Sequence, residues 1–100
     1  MSQPKWARVG NEEFASVDVV KARFRKILDG TPRESIEGRD RDLLLAVMEM
    51  HPDKEEKLEG QKLDHFEVRP YVFGNRSIFI VRSDGKAVDL SYQRALGLRP

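Results

Sequence analysis

Three features of the sequence predict an α+β fold, with two main helices packed on a small antiparallel sheet and a C-terminal helical turn. Apolar residues recur at helical spacing between positions 17 and 50. From Leu63 onward the period shortens to strand-like alternation, and glycine-containing turn signals punctuate positions 74–75 and 83–86. The chain has 100 residues, 39% hydrophobic and 35% charged, which suits one domain over 1–100 with its core at about 5–96.

In chain order, Val17, Val20, Phe24, Ile27 and Leu28 share a stripe, which predicts a first helix over Val17–Asp29. Ser16 is placed to cap it, and Asp18 suits the positive end of its dipole. Gly30 suits a left-handed position past the last turn, and Pro32 stops continuation. A loop over 31–39 leads to a second helix over 41–50 capped by Asp40. Leu44, Val47, Met48 and His51 form its stripe, which Leu43 and Leu45 widen, so it should be well buried. Pro52 ends that helix by keeping His51 out of helical backbone, and 53–58 suits one further turn begun by Pro52.

Phe66, Val68 and Val72 then alternate with polar neighbours in an extended segment, with Pro70 marking an edge or a bend. Gly74-Asn75 signals a turn, and 77–82 is apolar on both faces, as a central strand requires. Residues 83–86 make a hairpin turn in which Gly85 takes the positive φ. Val88 and Leu90 give a short returning strand. Ser91 caps a last helical turn through Tyr92, Ala95 and Leu96, closed by Gly97.

Composition excludes several function classes. Without cysteine there is no disulfide framework, thiolate zinc site or thiol nucleophile. Eighteen Lys and Arg against 17 Asp and Glu leave a net charge of +1, unlike a polybasic nucleic-acid sponge. The first 14 residues are polar, without the apolar stretch of a signal peptide, and no apolar run approaches membrane-spanning length. The expectation is a cytoplasmic protein with no membrane partner.

Charge is nonetheless uneven. Positions 29–59 carry ten acids and five bases. Positions 69–100 carry Arg69, Arg76, Arg82, Lys86, Arg94 and Arg99 against only Asp84 and Asp89. With Tyr71, Phe73, Phe79 and Tyr92 nearby, those cations form a candidate surface for RNA, by phosphate neutralisation and base stacking. The plainer reading has solvated charges and aromatics in the core. The first helix adds Lys21, Arg23, Arg25 and Lys26; Lys21 and Arg25 share a face, whereas Arg23 points elsewhere.

Catalytic and metal chemistry find little footing. His51 and His65 are the only histidines, and neither sits in a short metal-ligand motif, so no metal and no cofactor is expected. As a general base His51 needs a partner such as Asp84 or Asp89. The simpler role is a C-cap, its imidazole bonding the last helix carbonyls. Ser91 after Asp89 lacks a nucleophile elbow, and capping by Ser91 with packing of Tyr92 accounts for the same residues. Asp84-Gly85 needs only hairpin geometry.

One resemblance spans about 5–96. His51-Pro52, Lys57-Leu58-Glu59-Gly60, Val81-Arg82-Ser83-Asp84-Gly85 and Asp89-Leu90-Ser91-Tyr92 resemble the DCL (defective chloroplasts and leaves) domain. Lys5-Trp6, Val9-Gly10, Phe14-Ala15-Ser16, Phe24 and Ile27-Leu28 fit its opening. The sequence departs from that pattern at Leu58-Glu59, where Lys-Ile-Gly is frequent, and at Arg94-Ala95, where Lys-Cys is frequent. The resemblance implies a domain of unknown molecular function, found alone in bacteria, in a plastid protein needed for ribosomal RNA maturation, and at the C-terminus of the largest subunits of plant RNA polymerases IV and V. It carries no catalytic residue, and it singles out Lys57, which suits either an ion pair with Asp53 or a phosphate contact.

The leading expectation is therefore an RNA-associated module linked to RNA processing, binding through Arg69, Arg76, Arg82, Lys86 and Arg94 with help from Lys57 and Tyr92. The alternative is a non-catalytic protein–protein adaptor whose acidic and basic segments meet a partner of complementary charge. An enzyme centred on His51 ranks third. His51, Pro52, Asp84, Gly85, Asp89 and Ser91 remain motif positions without an assigned role.

Overall fold

In the computed structural model, residues 3–30, 35–70 and 72–98 are described. Pro32, Tyr71 and Arg99, on which expectations were placed above, lie outside them, as does the start of the 31–39 loop. A short hairpin of β1 (Arg8–Val9) and β2 (Glu12–Glu13) precedes α1 (Val17–Asp29), α2 (Gly38–Met50) and α3 (Lys54–Leu58). The main sheet follows as β3 (Leu63–Pro70), β4 (Arg76–Arg82) and β5 (Ala87–Asp89), and α4 (Tyr92–Ala95) closes the chain. The α+β expectation is met, with β4 central in an antiparallel β3-β4-β5 sheet.

The helix stripes and one face of the sheet make a single core. Val20, Phe24 and Ile27 of α1 and Leu43, Leu44, Val47 and Met48 of α2 are buried against Phe66, Val68, Ile78 and Ile80. Pairing of Phe66 with Ile80 and Val68 with Ile78 puts those four side chains on one face, because strand side chains alternate. A bulge between Leu63 and His65 shifts the register there. The free edge of β3 is partly covered, since the Ile36 N–H bonds the Phe66 carbonyl at 3.0 Å, and Pro70 removes one edge donor.

Several local expectations need correction. Gly30 is not left-handed (φ −63°, ψ 159°); Arg76 donates from Nη1 to the carbonyls of Leu28 (3.2 Å) and Gly30 (3.1 Å), so a tertiary contact satisfies the helix end. The second helix begins at Gly38, capped by Glu37 without a side-chain bond, and Asp40 lies in its first turn. Asp40 is there paired with Arg23 (2.7 Å), whose fork also grips Glu12 at 2.9 and 3.2 Å. Glu12 and Asp40 together hold the Arg23 guanidinium above its usual pKa against a smaller effect of burial.

The third helix begins at Lys54 after Asp53, not at Pro52. Val72 belongs to a 3-10 turn instead of a strand, and Leu90 lies beyond β5. Ser91 stands at the start of α4 in left-handed backbone (φ 53°) and makes no side-chain cap; its carbonyl accepts from Arg94 and Ala95. Ser16, by contrast, caps α1 through the Val19 N–H at 3.3 Å. The β1–β2 hairpin is absent from the sequence-based expectation. Its turn glycine, Gly10 (φ 61°), sits so near α2 that a Cβ there would lie 3.0 Å from the Cβ of Ala46.

Candidate functional site

The cations expected to form one basic surface are mostly neutralised. Arg82 is buried, 4% exposed, with its fork on Asp84 (3.0 and 2.5 Å), and Nη1 on Glu59 (3.0 Å) and the Lys57 carbonyl (3.3 Å). Arg69 is bound to Glu67, and Arg94 to Asp53 at 3.0 Å. Lys57 donates to the Asp89 carbonyl at 2.6 Å, not to Asp53. Lys86 stands exposed in the β4–β5 turn, where its backbone pairs with that of the buried Arg82. Tyr92 is stacked on Phe24 with ring centroids 4.3 Å apart, and burial raises its phenol pKa. The proposed surface of Arg69, Arg82, Lys86, Arg94 and Lys57 is therefore not assembled. Sequence spacing could not reveal this, because each partner except Glu67 and Asp84 comes from another element.

The motif positions of unknown role gain a structural one. Lys57 and Arg82 clasp α3 to the β4–β5 hairpin, while Asp84 Oδ1 also accepts the Lys86 N–H at 3.1 Å. The bond from Arg82 holds the Asp84 carboxyl down at about 2, and Asp84 in turn raises the guanidinium. Gly85 (φ 88°) closes the turn by donating to the Arg82 carbonyl at 2.9 Å. Asp89 Oδ1 accepts from Ser77 Oγ and the Ser91 N–H, both at 2.9 Å.

His51 is the C-cap residue by position, with extended backbone before Pro52, but its imidazole bonds no helix carbonyl. Nδ1 accepts the Asp53 N–H at 3.0 Å, and buried Nε2 has no partner among the described residues. Its described hydrogen bonds include none to Asp84, Asp89 or Ser91. Among the described residues no group of three or more His, Asp or Glu is placed to hold a metal ion. No helix among them is long and apolar enough to cross a membrane.

His65, given no role by the sequence, lies between two carboxylates on the other face of β3. Nδ1 is 2.5 Å from Asp64 and Nε2 2.7 Å from Glu67. Burial pushes the Glu67 carboxyl up, but Arg69 and His65 outweigh it and hold the carboxyl below its usual value. The two histidines shift oppositely from the ordinary 6.5: Glu67 and then Asp64 raise His65, while burial and then the Lys57 charge lower His51. His65 therefore stabilises the fold fully below its unfolded pKa, and this is lost as pH rises through the raised value. His51 stabilises it above the unfolded pKa, and this is lost as pH falls through the lowered one. In a proton NMR titration the ring signals of His65 should switch above the ordinary pH and those of His51 below it. The reverse order would refute these two environments.

A surface cleft of about 550 Å³ lies between α1, the β3–β4 turn and α4. Lys21, Arg25 and Arg76 line it with the edge of Tyr92 and with Gln93, and Asp29 is the one carboxylate among its described lining residues. Lys21 and Arg25 have no ion-pair partner among the described residues; Arg76 faces carbonyls only. At the neighbouring turn Phe73 is 98% exposed and sits in left-handed backbone (φ 57°), followed by Gly74 (φ 76°). Such backbone costs a non-glycine residue roughly 1–2 kcal/mol. The four-residue spacing of Lys21 and Arg25 was a legible signal; the exposure of Phe73 was not.

These features define a small α+β domain with a cationic cleft next to the turn that carries the exposed Phe73. A family model described as "Protein of unknown function (DUF3223)" matches residues 25–96, well over half of the chain, and the protein belongs to that family. The resemblance to the DCL domain is corrected accordingly: neither this match nor the structural neighbour indicates a relationship to DCL or to plant polymerases IV and V. The solution NMR structure of an uncharacterized protein from Rhodospirillum rubrum is similar, with a TM-score of 0.79 and 26% identity over 95% of this chain and 91% of that one. No curated protein matches.

Proposed function

We propose that this domain is an RNA-associated module of the cytoplasm, holding single-stranded RNA in the cleft between α1, the β3–β4 turn and α4. The observation that carries this reading is the gathering in one cleft of three cations, Lys21, Arg25 and Arg76, that have no ion-pair partner among the described residues, next to the turn that carries the exposed Phe73. Cations that track phosphates and an aromatic platform for bases are the two parts that sequence-tolerant single-strand binding needs. The contact set differs from the sequence-based one: Arg76, Tyr92 and Phe73 remain, Lys21 and Arg25 of the first helix become central, and Arg69, Arg82, Arg94, Lys86 and Lys57 leave. The link to RNA maturation rested on the DCL resemblance and loses its support with it.

Fluorescence anisotropy with a short unstructured RNA at several salt concentrations tests the proposal. Three neutralised phosphates give a log–log slope of roughly −2. Removing Lys21 and Arg25 together should leave a slope of about −0.7. Phe73→Ala should weaken binding by about 1–3 kcal/mol. No binding at low salt overturns the proposal. The adaptor reading is favoured by one feature, the exposed Val72-Phe73 pair. It gains the field if a captured partner survives ribonuclease treatment and is lost with Phe73→Ala.

A further inference from the structure

Next to the cationic cleft lies a smaller recess of about 360 Å³ that shares Tyr92 and Gln93 with it and is also lined by Ser77, Asp89, Ser91 and Arg94. Its chemistry is opposite. The Arg94 guanidinium is engaged by Asp53, so the distinctive group is the Asp89 carboxylate. Oδ1 is held by Ser77 Oγ and the Ser91 N–H, and the Asp89 carbonyl by Lys57, so the side chain is oriented from two sides and its backbone anchored. Oδ2 has no donor among the described residues. A fixed carboxylate oxygen repels phosphate but accepts strongly from a hydroxyl or an amine.

Beside a phosphate track, the choice between sugar and base follows from what else the recess offers. Its lining offers a base little aromatic platform: it holds one ring, Tyr92, and one face of that ring is taken up by Phe24. A ribose hydroxyl needs no such platform and lies one sugar away from each phosphate. We infer that Asp89 Oδ2 accepts the ribose 2′-hydroxyl, so that the site selects RNA over DNA. This deepens the proposed function and rests on it.

The test compares RNA, DNA and 2′-O-methyl RNA of one sequence by anisotropy at fixed low salt. RNA should bind about tenfold or more tighter than DNA, the scale of one hydrogen bond to a charged acceptor. The 2′-O-methyl strand, which has no 2′ donor, should bind like DNA. In Asp89→Asn the Ser91 N–H still requires an oxygen, so the amide nitrogen is forced into the Oδ2 position and presents a donor instead of an acceptor. The RNA-to-DNA ratio should then fall towards one, with an unchanged thermal midpoint as the check on folding.

Equal binding of wild-type protein to RNA and DNA overturns the inference and leaves the nucleic-acid reading standing. So does a 2′-O-methyl strand that binds as well as RNA, or a preference that survives Asp89→Asn. Binding to none of the three strands removes both.

Discussion

Phe24→Ala should cost the fold about 3–5 kcal/mol, a large fraction of the stability of a domain this size. Phe24 is wholly buried at the centre of α1 and packs among the side chains of α2 and the sheet. It also carries Tyr92, whose ring lies parallel to it within 3°. Truncation therefore opens a cavity and removes the ring against which Tyr92 of α4 is stacked. Urea unfolding measures the first effect as a lower midpoint with little change in slope. Loss of the second appears at the cleft, since Tyr92 and Gln93 form its wall toward the Asp89 recess. A cost below about 1 kcal/mol would mean that the core refills around the alanine, contrary to the packing described here.

Arg82→Met is expected to lower the thermal midpoint sharply, and Arg82→Lys should not restore it. The methionine keeps the apolar stem but leaves Asp84 and Glu59 without their partner and the Lys57 carbonyl without its donor. A lysine supplies charge but only one nitrogen, where the guanidinium fork meets Asp84 with two and turns a third towards α3. A double-mutant cycle with Asp84→Asn checks the source of the effect: the two changes together should cost clearly less than their sum. Because Arg82 holds the Asp84 carboxyl at about 2, the wild-type fold should also gain from this group above its ordinary 3.8 and lose that gain as pH falls towards 2. Full additivity, or a lysine variant as stable as wild type, would show that the fork contributes nothing particular.

Elements that rest on nearby residues were legible in the sequence. The stripe of α1 and its Ser16 cap, the burial of α2, the central apolar β4 and the Gly85 turn each follow from spacing of a few residues, and each stands where expected. The first helix ends where expected, but the left-handed backbone at Gly30 and the start of the second helix went astray because distant groups decide them: Arg76 satisfies the carbonyls at the first from 46 residues away, and Arg23 draws Asp40 into an ion pair in place of a cap. The same cause undid the expected basic surface. A charge count along the chain sees Arg82 and Arg94 as cations, but Glu59 and Asp53 meet them from α3 and the turn before it.

By itself the sequence determined the α+β class, the two main helices, the central strand and the cores they bury, since periodicity and turn chemistry act over one or two turns of chain. Only the tertiary structure decided which cations lack an ion-pair partner among the described residues, that Phe73 stands in water and that Asp89 lines a recess beside a cationic cleft. The reason is the range of the interactions. Hydrophobic spacing is written locally, whereas neutralisation of a charge and exposure of a ring depend on which distant segments folding brings within a few ångströms.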